Sequence, residues 1–216
     1  MTALPLRNRT DHLVEVVRER ILTGSVSADL SIRQDVLAAE LGVSKIPLRE
    51  ALAKLEQEGL LRSHANRGFF VQPMSAAEAE ELYALRLRLE PDTVACASLN
   101  ASSEQQDLAR AALQTLDRVT EEHGSAVGAL NRAFHLALIR PAGQPVTASI
   151  LERLQILCER YVRKHLEPLG RDERANDEHR TILQHWLLRE AEPLRRLMRE
   201  HIAQTLDDLR KQLPDS

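Results

Sequence analysis

The chain has 216 residues, of which 43% are hydrophobic, 28% charged and 3% aromatic, and this composition favours helices packed through Leu, Ala and Val over a β-sandwich or barrel. No stretch approaches 18 uncharged apolar residues and the N-terminus lacks a signal-peptide pattern, so we expect a cytoplasmic protein with no membrane partner. The net charge is −3, but residues 1–73 carry ten basic and nine acidic side chains against 19 and 23 in residues 74–216, which permits DNA binding by the N-terminal part.

The N-terminal third of the chain predicts three short helices. Apolar residues at helical spacing predict a first helix from Thr10 to Thr23 and a second from about Arg33 to Glu40, with Ser31 as its cap. A third helix is predicted to begin at Ser44, where the pattern Ser-x-x-Pro supplies a side-chain cap and a proline in the first turn, and to end at Gly59. Only a tight turn separates the second helix from the third, as in a helix-turn-helix motif.

A β-hairpin is predicted directly after the third helix. Two short runs, 60–64 and 69–72, flank a turn formed by residues 65–68. Three helices followed by a hairpin are typical of a winged helix-turn-helix domain, which we assign to residues 1–73.

The second helix of a helix-turn-helix motif enters the major groove, so its N-terminal side chains are the ones that reach the bases. Arg49 can bind guanine bidentately, Lys45 can reach guanine or phosphate, and Ile46 can touch a thymine methyl group. Taken singly, each charge is better explained as a solvated surface residue; the whole string from Val43 to Leu61, followed by residues 67–71, reverses that balance. The predicted DNA contacts are Arg33, Ser44, Lys45, Ile46 and Arg49, with Asn66 and Arg67 at the hairpin tip.

Residues 41–52, Leu-Gly-Val-Ser-Lys-Ile-Pro-Leu-Arg-Glu-Ala-Leu, resemble the corresponding segment of the GntR family of bacterial transcription regulators. The resemblance implies a homodimer on a palindromic operator in double-stranded DNA, with the wing around Gly68 added to the contacts. Lys45 and Ile46 stand where the family usually has Arg and Thr. Because Lys is a point charge without the guanidinium fork, the base preference at this position is expected to differ.

Residues 74–216 predict an all-helical domain of about six helices, so the whole chain is expected to be mostly α. Cys96 and Cys158 lie inside apolar helical patterns without a CxxC pair, which indicates core residues. No internal repeat is present.

Three histidines of this domain occupy apolar helix stripes: His135, His179 and His201. Bundle interiors hold metal sites, and neutral imidazole suits zinc, nickel and iron. Asn131 lies one helical turn before His135 and could add an oxygen ligand. Hydrogen-bonded core histidines are the alternative. The remaining five histidines, including His165, are expected at the surface or in packing positions.

The C-terminal part also resembles the FCD ligand-binding domain of the FadR subfamily, in segments 82–91, 131–135, 178–182 and 198–202. Many members bind a divalent metal through an Asp and three His, with small carboxylates in the same cavity. The resemblance implies that the corresponding ligands in this sequence are Asn131, His135, His179 and His201, with Asn in place of the usual Asp. We expect zinc, with nickel, iron or manganese as alternatives.

Arg86 and Arg88 are the candidates to pair an effector carboxylate. A surface salt bridge to Glu90 or to a neighbouring helix is the alternative, and the sequence leaves open which arginine faces the cavity.

The sequence therefore predicts a ligand-responsive DNA-binding regulator, most relatives of which are repressors. One alternative is a metal-dependent enzyme fused to a DNA-binding module, but the sequence has no HExxH or GxSxG motif, and we expect no enzyme activity. The other is a helical interaction protein with a vestigial winged helix.

Overall fold

The computed structural model describes residues 6–26, 31–65, 67–122, 126–166 and 171–213. The chain divides into two compact units, residues 1–73 and residues 74–216. The described part is mostly helical, with one short β-hairpin, which confirms the predicted fold class.

The first unit is a three-helix domain with a hairpin. In the hairpin, the two strands are antiparallel and place Leu61 opposite Val71. The fully buried side chains of Val17, Leu48 and Leu52 form its core between the first and third helices. Its elements are α1 (Leu6–Leu22), α2 (Gln34–Glu40), α3 (Lys45–Gln57), β1 (Leu61–His64) and β2 (Gly68–Val71).

A buried ion pair ties α1 to the C-terminal end of α3. The guanidinium of Arg18 donates to both carboxylate oxygens of Glu58, with Nη2 at 2.7 Å from Oε1 and Nε at 3.2 Å from Oε2. Bidentate pairs of this kind fix orientation as well as adding binding energy. The C-terminal end of α3 is therefore fixed against α1.

Two predicted helix caps are wrong. Ser31 does not cap α2, because it forms a β-bridge with Phe70 and the helix begins at Gln34 with Arg33 as its N-cap. Ser44 does occupy the N-cap of α3, but its side chain makes no capping hydrogen bond. In addition, α1 begins at Leu6, four residues before the predicted start at Thr10.

The second unit is a helical bundle around α4, which packs against several of the later helices. Ser75 caps α4 by accepting a hydrogen bond from the backbone of Glu78 at 3.1 Å. Its elements are α4 (Ala76–Asn100), α5 (Ser103–Glu121), α6 (Val127–Ile139), a 3-10 turn (Arg140–Ala142), α7 (Pro145–Leu166), α8 (Arg171–Leu187) and α9 (Ala191–Arg210).

The interior of the bundle contains both apolar and polar side chains. Phe134, Tyr161 and Trp186 are fully buried. Polar side chains from α4, α6, α7, α8 and α9 are buried among them and form the candidate site described below. No helix in the described ranges combines the length and apolar character needed to cross a membrane.

Candidate functional site

The first turn of α3 presents an exposed face that suits DNA. Ser44, Lys45, Ile46 and Arg49 are all exposed, whereas Leu48 on the opposite face is fully buried. Ile46 is 73% exposed, so its side chain is accessible to a thymine methyl group. The arrangement matches that of a helix whose N-terminal side chains reach base edges.

Lys45 forms an ion pair with Asp35 of α2, and both side chains are largely exposed. Exposed ion pairs contribute only about 0–1 kcal/mol, so Lys45 can exchange this partner for a phosphate or a base at little cost.

The other predicted contacts lie just before α2 and in the hairpin turn. Arg33, just before α2, and Arg67, in the hairpin turn, are both exposed. Gly68 has a φ of +84°, a left-handed conformation that favours glycine at this turn. The backbone N–H of Ile32 donates to the carbonyl of Phe69 at 2.8 Å and fastens the hairpin to the segment before α2. Asn66 lies outside the described residues.

Three buried histidines meet inside the second unit. His135 on α6, His179 on α8 and His201 on α9 each place one ring nitrogen within 4.8 Å of the other two. The Nε2 atoms of His179 and His201 are 3.3 Å apart. The Nε2 atom of His135 is buried and has no hydrogen-bond partner. The sequence pattern had predicted that these three side chains point into the bundle.

Two of the three histidine rings contact a carboxylate through the Nδ1 atom. His135 Nδ1 lies 2.7 Å from Oε1 of Glu90 on α4, and His201 Nδ1 lies 2.7 Å from Oε2 of Glu178 on α8. These contacts fix the orientation of each ring and leave the Nε2 atom to face the other histidines. The Nδ1 atom of His179 is buried without a hydrogen-bond partner.

Burial keeps the imidazoles of His135 and His179 neutral. It lowers the pKa of His135 to about 4, although the negative charge of Glu90 acts in the opposite direction. Burial, together with the neighbouring His201 and His135, lowers the pKa of His179 well below its usual value. At neutral pH the rings of His135 and His179 therefore retain a lone pair that can bind a cation.

A small cavity adjoins the three histidines; the centre of a water-sized sphere can occupy about 20 Å³ of it, and it is partly open to solvent. Asn131 is 6% exposed and lines this cavity beside His135. Thr120, Asn176 and Asp172 add polar groups to the wall. Its apolar lining comes from Leu116, Val127, Val162, Leu166 and Ala175.

The two candidate effector arginines differ in position. Arg86 is 2% exposed and lines the cavity, whereas Arg88 is exposed and is absent from the cavity lining among the described residues. Arg86 Nε and Nη2 donate to Glu90 at 2.8 and 3.3 Å. The salt bridge to Glu90 that the sequence suggested at the surface is therefore formed in the interior.

The donor set fits a divalent metal. Two nitrogens bound to one zinc ion at 2.0–2.1 Å in tetrahedral geometry lie about 3.3–3.4 Å apart, close to the observed separation of the His179 and His201 Nε2 atoms. The unpartnered Nε2 of His135 is a buried acceptor that a metal would satisfy. The set of three imidazoles suits zinc, nickel or iron better than magnesium or calcium.

Sequence reasoning missed two residues of this region. His165 was expected at the surface or in packing, but it is 3% exposed and lines the cavity, with Nδ1 at 3.5 Å from Asp208. Glu178, which contacts His201, is the second, and no local pattern marks it as part of the site. The spacing of His165 from Cys158, Tyr161 and Val162, at seven, four and three residues, follows the same helical rule that selected the other histidines.

The fold and these two sites define a winged-helix transcriptional regulator with a helical second domain. Residues 9–71 match the family described as bacterial regulatory proteins, gntR family, and residues 81–204 match the FCD domain. The chain belongs to the GntR family of transcriptional regulators, in the FadR-like group that carries an FCD domain.

Individual relatives agree with this assignment. The chain is 34% identical over 129 residues to the Nta operon transcriptional regulator of Aminobacter aminovorans, and the match covers 60% of each protein. It is 25% identical over 195 residues to the HTH-type transcriptional repressor GlaR of Escherichia coli K12, covering 86% of this chain and 89% of GlaR. The solved structure of E. coli McbR/YncC has a TM-score of 0.81 at 21% identity, covers 97% of this chain and 99% of that chain, and shows the same fold.

Proposed function

We propose that this chain is a homodimeric transcriptional repressor that binds a palindromic operator and responds to a small carboxylate effector at a divalent metal. The observation that carries the proposal is the convergence of three buried histidines on a cavity, in a chain that also has an exposed, basic helix-turn-helix face. Similarity to GlaR, which is named a repressor, supports the sign of regulation. In a two-fold dimer, each DNA-binding domain would contact one half-site of the palindrome.

In this proposal, Asn131, His135, His179 and His201 hold zinc, with nickel, iron or manganese as alternatives. A bound divalent ion is a Lewis acid that attracts anionic oxygen ligands, so a carboxylate effector has a natural partner in the cavity. Asn131 would contribute its carbonyl oxygen, which carries no formal charge.

Arg86 is the arginine that the geometry favours as an effector contact, since it lines the cavity. Because Nε and Nη2 bind Glu90, the effector would approach Nη1 and the outer edge of Nη2. The apolar wall of the cavity suits a short hydrocarbon portion of the same molecule.

The first experiment tests DNA binding. Purified protein is incubated with fragmented genomic DNA from its own source, and the retained fragments are sequenced; a short palindrome is the expected product. With that operator in hand, Arg49→Ala is expected to weaken binding by about 5–150-fold for each half-site, the worth of one bidentate base contact.

Lys54→Ala is the matched control, because Lys54 lies near the other end of α3 and pairs with Asp11 at 2.7 Å. Its affinity for the operator should stay close to that of the unaltered chain. Equal affinity of Arg49→Ala and the unaltered protein would remove Arg49 from the interface.

The second experiment tests the metal. Double substitution His179→Ala and His201→Ala should abolish the zinc that the unaltered chain retains after dialysis, as measured by elemental analysis. His185→Ala is the control, since His185 is also on α8 but contacts Glu190. Undiminished zinc in the double variant would exclude these two residues as ligands.

Neither alternative function has an observation in its favour. A metal-dependent enzyme would turn over candidate carboxylates, and a vestigial winged helix would bind no operator or bind DNA without the steep salt dependence of phosphate contacts. Both outcomes are measurable with the same purified protein.

A further inference from the structure

The buried carboxylate of Glu90 accepts several hydrogen bonds beside the three histidines. Glu90 is 0% exposed. Oε1 accepts from His135 Nδ1 at 2.7 Å and from Gln155 Nε2 at 2.9 Å, and Oε2 accepts from Arg86 Nε at 2.8 Å. A buried charge is tolerated only when it is paired and its lone pairs are satisfied, and Glu90 meets both conditions.

This carboxylate determines which nitrogen of His135 carries the proton. An ionised carboxylate only accepts hydrogen bonds, so the proton of the neutral ring must lie on Nδ1, between the ring and Glu90. The lone pair then lies on Nε2, the buried atom that has no partner of its own.

We propose that Glu90 is the positioning residue of the site: it holds His135 in the tautomer whose Nε2 faces the metal, and Arg86 and Gln155 hold Glu90 in place. The inference rests on the metal centre proposed above. Arg86 then has a structural task besides any contact with an effector, because two of its nitrogens are committed to Glu90.

Glu178 offers an internal comparison. It contacts His201 Nδ1 at the same 2.7 Å, but its side chain is 29% exposed and lies in a surface groove that Asp177 and Glu200 also line. Water can replace a carboxylate at this position, whereas Glu90 is the hydrogen-bond partner that reaches Nδ1 of the buried His135 within the described residues. Loss of Glu90 should therefore lower the affinity for zinc more than loss of Glu178 does.

The test begins with the unaltered chain. Protein labelled with ¹⁵N at histidine is stripped with a chelator, and the ring nitrogens of His135 are assigned by NMR. The expected result is a proton on Nδ1 and a bare Nε2. A proton on Nε2 would overturn the proposal without the need for any variant.

Zinc affinity is then measured by competition with a chromophoric chelator. Glu90→Gln keeps the shape of the side chain but removes its charge. The double substitution Glu90→Leu with Arg86→Met replaces the whole buried pair and leaves no uncompensated charge, which protects folding. Both variants should bind zinc about 10–100-fold more weakly, the usual effect of losing a carboxylate behind a histidine ligand.

Glu178→Gln should lose less affinity than either variant, and Glu81→Gln, an exposed glutamate on the same helix as Glu90, should lose none. Folded Glu90 variants that keep the zinc affinity of the unaltered chain would overturn the positioning role alone. If the unaltered chain binds no zinc, the proposed metal centre is wrong and the positioning role is overturned with it.

Discussion

Asn131 is the one member of the candidate ligand set that is not a histidine. The resemblance to the FCD domain implies an Asp at this position. It is 6% exposed and lines the cavity next to His135. A carboxylate at this position would add a formal negative charge beside the three histidines. The amide adds no charge to the metal-free cavity, and a buried carboxylate without a cation is costly.

Asn131→Asp is therefore expected to raise the affinity for zinc about tenfold or more, since a charged oxygen is a better ligand than an amide carbonyl. The same substitution should destabilise the metal-free protein, so that zinc raises the melting temperature more in the variant than in the unaltered chain. Chelator competition and thermal denaturation with and without zinc measure both effects.

The control is Asn176→Asp. Asn176 is equally buried, at 6%, and lines the same cavity from α8. If a negative charge anywhere in the cavity were sufficient, the two variants would gain zinc affinity alike, and Asn131 would lose its standing as a ligand.

At the residue scale, the sequence predicted the convergence of the histidines but not their support. Helical spacing places His135, His179 and His201 on inward faces, and this depends only on local periodicity. The contact of His135 with Glu90 joins residues 45 positions apart, and the contact of Gln155 with Glu90 joins residues 65 positions apart. Such pairings depend on how the helices pack, which local spacing does not encode.

At the scale of the elements, a tertiary contact and not the local capping pattern determines where α2 begins. Serine is a residue type that often caps helices, yet the backbone of Ser31 pairs with that of Phe70. The backbone N–H of the neighbouring Ile32 donates to the carbonyl of Phe69. The segment before α2 is thus committed to the hairpin, and the helix begins only at Gln34. Element type and order follow from the sequence pattern, whereas the exact cap depends on a hairpin formed more than 30 residues later.

The start of α5 is a case in which the local rule holds. Ser102 Oγ accepts from the backbone of Gln105 at 3.3 Å, and Gln105 Oε1 accepts from the backbone of Ser102 at 2.9 Å, which completes a capping box. Ser102→Ala is expected to lower the free energy of unfolding of the helical domain by about 1 kcal/mol. Chemical denaturation followed by circular dichroism measures the change.

Ser103→Ala tests whether the loss comes from the cap. Ser103 is the exposed first residue of α5, so removal of its hydroxyl should leave the stability nearly unchanged. Equal losses from both substitutions would show that the capping box contributes nothing specific.

At the scale of the whole molecule, two compact units carry two different kinds of site. The division lies between Pro73 and Met74. The exposed face of α3 belongs to the first unit and the buried histidines to the second. A sequence can indicate both sites separately, because each rests on short-range spacing. Communication between them is a property of the assembled protein and has to be measured as a coupling free energy.

We expect zinc occupancy to change operator affinity by about 5–150-fold, the range that corresponds to a coupling free energy of roughly 1–3 kcal/mol. Linkage requires operator DNA to change zinc affinity by the same factor, so the prediction can be checked from both directions. Fluorescence anisotropy gives operator affinity for the zinc-loaded and chelated protein, and chelator competition gives zinc affinity with and without the operator. The variant with both His179→Ala and His201→Ala should show no zinc dependence. Equal operator affinity in both states of the unaltered chain would contradict the prediction and assign the metal a role in stability alone.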